Sequence, residues 1–217
     1  MVTPDIYFGY ADTLHYVAVQ FLPDPWQGDP GVVFLGCTAR TSECGPSYDG
    51  GAIRVDNPLA NPALTLVDAY VDITATNGTC HFQIWGEFLP ATVGPGGTLI
   101  LTQTGTLGPP QAPPCDGRVS VPERPYFNFD TSEGPLDTID PPFSNCNPSD
   151  SVVSPPVVTL VFSNGMTLTI VDDPDPDPAV QNDEILNTGG TDRFACTGTE
   201  EATPWTAVPP DDITRVG

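Results

Sequence analysis

Val157-Val158-Thr159-Leu160-Val161-Phe162-Ser163-Asn164-Gly165-Met166-Thr167-Leu168-Thr169-Ile170-Val171 is the stretch that decides the architecture. Six apolar or β-branched residues run into Ser163-Asn164-Gly165, and Met166, Leu168 and Ile170 then alternate with Thr167, Thr169 and Val171. A period of two buries one face of a strand, and Asn-Gly tolerates the positive φ angles of tight hairpin turns. The stretch reads as a β-hairpin. A second hairpin begins at Leu64, where Leu64, Leu66, the pair Ala69-Tyr70, Val71 and Ile73 alternate imperfectly. Asn77-Gly78 supplies its turn, and Cys80, Phe82 and Ile84 form the return. Working outward, strands are expected over residues 6–10, 16–22, 32–36, 51–55 and 98–102, separated by turn signals at sandwich-like spacing.

Composition agrees with short strands. The 217 residues include 21 Gly and 27 Pro, and no stretch long enough for an amphipathic helix escapes them. An apolar content of 39% is enough for a core. The expected fold is an all-β, antiparallel β-sandwich with long Pro-rich loops, one domain over residues 1–217. Between 105 and 154 the alternation dissolves into Pro109-Pro110, Pro113-Pro114 and Pro141-Pro142. That stretch reads as an irregular insertion, with short strands near Val119 (residues 118–121) and over residues 126–129.

The charge is one-sided. There are 28 acids, six arginines and no lysine, for a net charge of −22. Nucleic acid and anionic membranes would be repelled. Asp outnumbers Glu 21 to 7, and Asp is a turn and cap residue, so the acidity belongs mostly to loops. No apolar run of about eighteen residues offers a membrane-spanning helix. Residues 1–10 lack the basic start and apolar core of a signal peptide, so the chain reads as a mature segment with Met1 an added start residue.

Six cysteines, Cys37, Cys44, Cys80, Cys115, Cys146 and Cys196, are an even set and point to three disulfides in an oxidising compartment. A salt-loving cytosol would also favour acids over lysine, but it fits the cysteines less well, and secretion or surface display is expected. Cys37 and Cys44 are near enough to pair locally, and Cys115 with Cys146 would pin the insertion, leaving Cys80 and Cys196. Six cysteines allow about fifteen pairings, so this set is a preference among them.

Several short runs resemble lamin-tail-like domains. These are Gly51-Ala52-Ile53-Arg54-Val55-Asp56-Asn57-Pro58 with Leu64-Thr65-Leu66-Val67-Asp68-Ala69-Tyr70, then Leu89-Pro90 and Gly94-Pro95-Gly96-Gly97-Thr98-Leu99-Ile100-Leu101, then Phe162 to Asp172. Tyr70 stands where that family usually has tryptophan, and disulfides are not a family trait. The resemblance covers about residues 32–172 and implies an immunoglobulin-like sandwich carried on secreted and surface proteins as an attachment module. It brings no catalytic residues with it.

Direct signals for chemistry are few. His15 and His81 are the only imidazoles, both in strand contexts where a solvent-facing or aromatic-stacked residue is expected. Gly45-Pro46-Ser47-Tyr48-Asp49 fails the last position of a nucleophile elbow, and no Cys-x-x-Cys or His-Glu-x-x-His occurs. The acidic run from Asp172 is more specific. Counted from Asp173, carboxylates fall at loop positions one, three, five and twelve (Asp173, Asp175, Asp177, Glu184), as in a calcium loop. Position six is Pro178 instead of glycine, which excludes an EF-hand and leaves either another calcium geometry or a stiff polyproline-like connector. Asn77-Gly78-Thr79 matches a glycosylation acceptor, although turn chemistry already explains Asn and Gly. Of the tryptophans, Trp85 reads as a core anchor and Trp26, in a loop between Pro25 and Gln27, as the exposed candidate for a carbohydrate platform.

These readings converge on a non-enzymatic secreted or cell-surface structural or binding module. Its partners would be a protein or glycan surface, or other copies through strand edges, with no nucleic acid and no membrane insertion. The alternative is a secreted Asp/Glu-dependent hydrolase acting on polysaccharide.

Overall fold

The computed structural model describes residues 2–13, 22–36, 48–75, 78–104, 152–173, 185–186 and 203–217. These form eleven strands and two single 3-10 turns, with no α-helix among the described residues. The strands are β1 (Asp5–Asp12), β2 (Val32–Leu35), β3 (Asp49–Asp56), β4 (Leu64–Ala75), β5 (Gly78–Phe82) and β6 (Ala91–Val93). They continue with β7 (Thr98–Leu101), β8 (Val152–Phe162), β9 (Thr167–Val171), β10 (Thr203–Ala207) and β11 (Ile213–Val216). Two sheets make a sandwich: a first sheet in the order β10-β1-β3-β7-β2, and a second in the order β11-β9-β8-β4-β5 with β6 also on β4.

The alternation drives the packing. Leu64, Leu66, Ala69, Val71 and Ile73 of β4, Val158, Leu160 and Phe162 of β8, and Leu168 and Ile170 of β9 turn inward. They meet Ile6, Phe8, Ile53, Val55, Leu99 and Leu101 from the first sheet. Trp85 fills the core without exposure and donates its indole N–H to Thr102 O at 2.8 Å, which satisfies its one polar atom.

Both expected hairpins are present. In β8–β9, Phe162 N donates to Met166 O at 2.8 Å and Gly165 N to Phe162 O at 3.0 Å. Gly165 lies at φ +88, which only glycine adopts without strain, and Asn164 Oδ1 accepts the N–H of Met166. In the other hairpin the register differs from the expected one: Gly78, expected at the turn centre with Asn77, already stands in β5 opposite Ala75, and the return strand ends at Phe82, short of Ile84.

Four expectations require correction. The sandwich is not wholly antiparallel, because β2 pairs with β7 in parallel, Val32 with Thr98 through Leu35 with Leu101. A parallel pair needs a long crossover, and β3 to β6 lie between these two strands in the chain. The irregular stretch ends earlier than residue 154, since β8 begins at Val152 and runs through Pro155-Pro156. The ladder shifts register there, between Asp72↔Val157 and Thr74↔Ser154, because proline has no N–H to donate. Strands β6, β10 and β11 were not expected: they are short, and Pro204 confines β10 to a sheet edge. Leu22, the last residue of the expected strand over 16–22, is not in a strand. Residues 16–21 and the short strands near Val119 and Tyr126 lie outside the described residues.

Candidate functional site

The β4–β5 hairpin carries its polar positions on the outer face of the second sheet. Residues two apart on a strand share a face, so Asp68, Tyr70, Asp72 and Thr74 line up along β4 opposite the core residues. The register pairs Asp72 with His81 and Thr74 with Thr79. Each cross-strand pair is bonded. His81 Nδ1 lies 2.7 Å from Asp72 Oδ1 and the Thr74 and Thr79 hydroxyls are 3.0 Å apart; just past the end of β5, Gln83 Nε2 donates diagonally to Asp68 Oδ1 at 2.6 Å. A carboxylate can only accept, so Nδ1 carries the proton. His81 also packs against Tyr70, with ring centroids 4.3 Å apart at 46°. Its side chain is 44% exposed, so the pairing with Asp72 adds little stability; its effect is to hold the ring.

His81 therefore stands as expected, facing solvent and a neighbouring aromatic. The sequence reading missed its partner. Counting three residues outward from each side of the Ala75–Gly78 closure reaches Asp72 and His81, so the turn itself held that information. The pair sits on the outer face of the sheet.

Beyond β4 the same face changes character. Val157, Thr159 and Val161 of β8 point outward, as do Thr167, Thr169 and Val171 of β9 and Thr214 and Val216 of β11. Every one is threonine or valine. The register places Tyr70, Thr159, Thr169 and Thr214 in a single row across four strands.

The acidic run has an anchored neck. Asp172 is fully buried at the end of β9, and its Oδ2 accepts the N–H groups of Ile185 at 2.9 Å and Leu186 at 2.7 Å. Ile185 and Leu186 are themselves buried in the core. Asp172 thus fastens the two ends of the intervening segment. A crevice no larger than about one water molecule lies beside it, lined by Phe8, Val171, Asp173 and Val208 among others. Of the four expected calcium ligands, Asp173 is half-buried at this neck, while Asp175, Asp177 and Glu184 lie outside the described residues. Among the described residues no group of three or more His, Cys, Asp or Glu side chains is arranged to hold a metal ion. The backbone of Cys80 stands opposite Ile73 in the β4–β5 ladder. Cys37, Cys44, Cys115, Cys146, Cys196, His15 and Asn77 lie outside the described residues.

Trp26 is not an exposed platform. It is 6% exposed and packs edge-on against Phe34 and Tyr48, at centroid distances of 5.3 and 5.4 Å, and beside Trp205 at 5.9 Å. The loop carrying it folds back onto the outer face of the first sheet, over Ala52 and Ile100. Asp29 Oδ2 accepts its backbone N–H at 2.7 Å, and Trp205 Nε1 donates to Pro25 O at 3.1 Å. Burial pushes the Tyr48 phenol above its ordinary value. The neighbouring Trp26 indole offsets this in part, without reaching full hydrogen-bond geometry. Farther along the first sheet Arg54 is chelated by Asp56, at 2.9 and 2.5 Å, and lies 4.6 Å over the Tyr7 ring. Its charge is spent within the fold.

No protein-family model, curated protein or solved structure matches the chain.

Proposed function

We propose that this chain is a non-enzymatic structural or binding module of the secreted or cell-surface class, working in adhesion or attachment through the outer faces of its sheets. The observation that carries this reading is the outer face of the second sheet. Its polar side chains are tied to each other, Asp72 to His81 and Thr74 to Thr79 across the ladder and Asp68 to Gln83 beyond its end. Side chains fixed in advance bind with less entropy loss, which suits recognition. An open sheet face suits an extended partner more than a small substrate, which needs a concave site.

The sandwich architecture agrees with an immunoglobulin-like fold of the lamin-tail type, and the short motifs quoted above favour that assignment. Disulfides among the six cysteines would stabilise it outside the cell. Calcium on Asp173, Asp175, Asp177 and Glu184 would cross-brace the segment that Asp172 anchors. The competing reading, an Asp/Glu-dependent hydrolase on polysaccharide, gains one point from Asp72, which gives His81 an orienting carboxylate.

The two classes separate on turnover. The purified chain is expected to release no reducing ends or acids from a panel of polysaccharides and esters. Release that disappears in the His81→Gln variant would replace the module reading with an enzymatic one.

A further inference from the structure

We infer that the row Tyr70–Thr159–Thr169–Thr214 is a track for an extended, neutral, β-1,4-linked polysaccharide chain lying across the strands. The inference rests on the binding-module reading and names its ligand class.

Four observations lead to it. The register brings one hydroxyl-bearing side chain from each of β4, β8, β9 and β11 into line. Strands are spaced by about 4.8 Å, so the row repeats at close to the length of one pyranose unit in an extended chain. Threonine hydroxyls both donate and accept, as sugar hydroxyls do. Thr159, 6% exposed, forms the floor, and the more open Thr169 and Thr214 stand beside it.

Beyond β4 the rows on either side are valine and threonine: Val157 and Val171 flank the track on one side, and Val161, Thr167 and Val216 on the other. Methyl groups there would lie under the C–H faces of the sugar rings, while the accessible Thr169 and Thr214 hydroxyls meet the sugar hydroxyls. At the β4 end, Tyr70 with His81 tilted against it offers an aromatic surface, and Asp68 and Asp72 stand beside it as acceptors.

Charge and area select among occupants. The chain carries −22, yet the part of this face on β8, β9 and β11 holds no charged side chain. Anionic glycans and second copies of the chain are repelled by the whole molecule, whereas a neutral chain is not. Three rows across four strands cover on the order of 200 Å². That is well short of the roughly 800 Å² per partner of a stable protein interface. Adjacent strands also rotate by about 20–25°, so the row twists. A single soluble chain can follow it; a crystalline surface cannot.

The test is affinity electrophoresis and calorimetry with soluble hydroxyethyl cellulose, arabinoxylan and glucomannan, with microcrystalline cellulose as the flat comparison. The expected result is binding to at least one soluble chain, little retention on crystalline cellulose, and about tenfold or greater loss in Thr169→Glu and in Thr214→Glu. Unchanged melting temperatures identify folded variants, and Thr214→Glu, at an exposed position, serves if Thr169→Glu does not fold. Binding that both folded variants retain would overturn the track and leave the module reading standing. Absence of binding to all three soluble chains would overturn the ligand class. Cleavage of any of them would overturn the module reading itself.

Discussion

At the scale of single residues, burial sets the chemistry more than residue type does. His81 and Trp26 look alike in sequence, each an aromatic near a turn. The fold leaves His81 open beside Asp72 and closes Trp26 beneath its own loop. Tyr48 shares that closure, and its phenol resists ionisation because burial penalises the charge. A phenol raised in the folded state binds its proton more tightly there than in the unfolded chain. Its contribution to stability is complete below its unfolded value of about 10 and is lost as pH rises beyond it. Denaturation between pH 8 and pH 11 should show stability falling at the alkaline end, with a smaller fall in Tyr48→Phe. Equal alkaline losses in the two proteins would remove Tyr48 from the account.

Elements were legible to different degrees. The β8–β9 hairpin could be read almost residue by residue because alternation and the Asn164-Gly165 turn agree. In β4 the pattern breaks at a bulge between Leu66 and Asp68, which explains why its alternation looked imperfect. Among the described residues, edge strands β10 and β11 carry one partner each and little alternation, so they left no trace above the surrounding turns. The candidate site followed the same division. His81 was visible as a residue, but the hydroxyl row exists only once β11 has docked beside β9. The acidic segment was read for its charge, whereas its first acid, Asp172, acts as a clamp on Ile185 and Leu186. Asp172→Ala would leave two buried N–H donors without this acceptor and is expected to cost about 2–4 kcal/mol, read as a lower midpoint in denaturant. Asp172→Asn keeps an acceptor oxygen and should cost less. Equal, small effects in both would show that the clamp does not hold the segment.

At the scale of the whole molecule, charge is the dominant unresolved force. With −22 spread over 217 residues, self-repulsion works against the compact state. The arginines that the structure describes are Arg54, paired with Asp56, and Arg215, which reaches the Thr3 hydroxyl, so neither relieves the field broadly. Screening shortens to about 3 Å at 1 M salt, and the melting temperature should rise by several degrees from low salt to that concentration. Calcium at matched ionic strength separates general screening from a specific site. A further rise that chelator reverses is expected if the anchored acidic segment binds the ion, and coincident melts would remove calcium.

The sequence by itself determined the class of fold, the two central hairpins and the sign of the field. Proline, glycine, alternation and charge act locally, or add up regardless of shape. Tertiary structure alone decided the parallel β2–β7 pairing, the burial of Trp26 and the alignment of Tyr70 with three threonines. Each joins segments far apart in the chain, through contacts between surfaces that come into being only when the strands pack, and so leaves no periodic mark on any single segment.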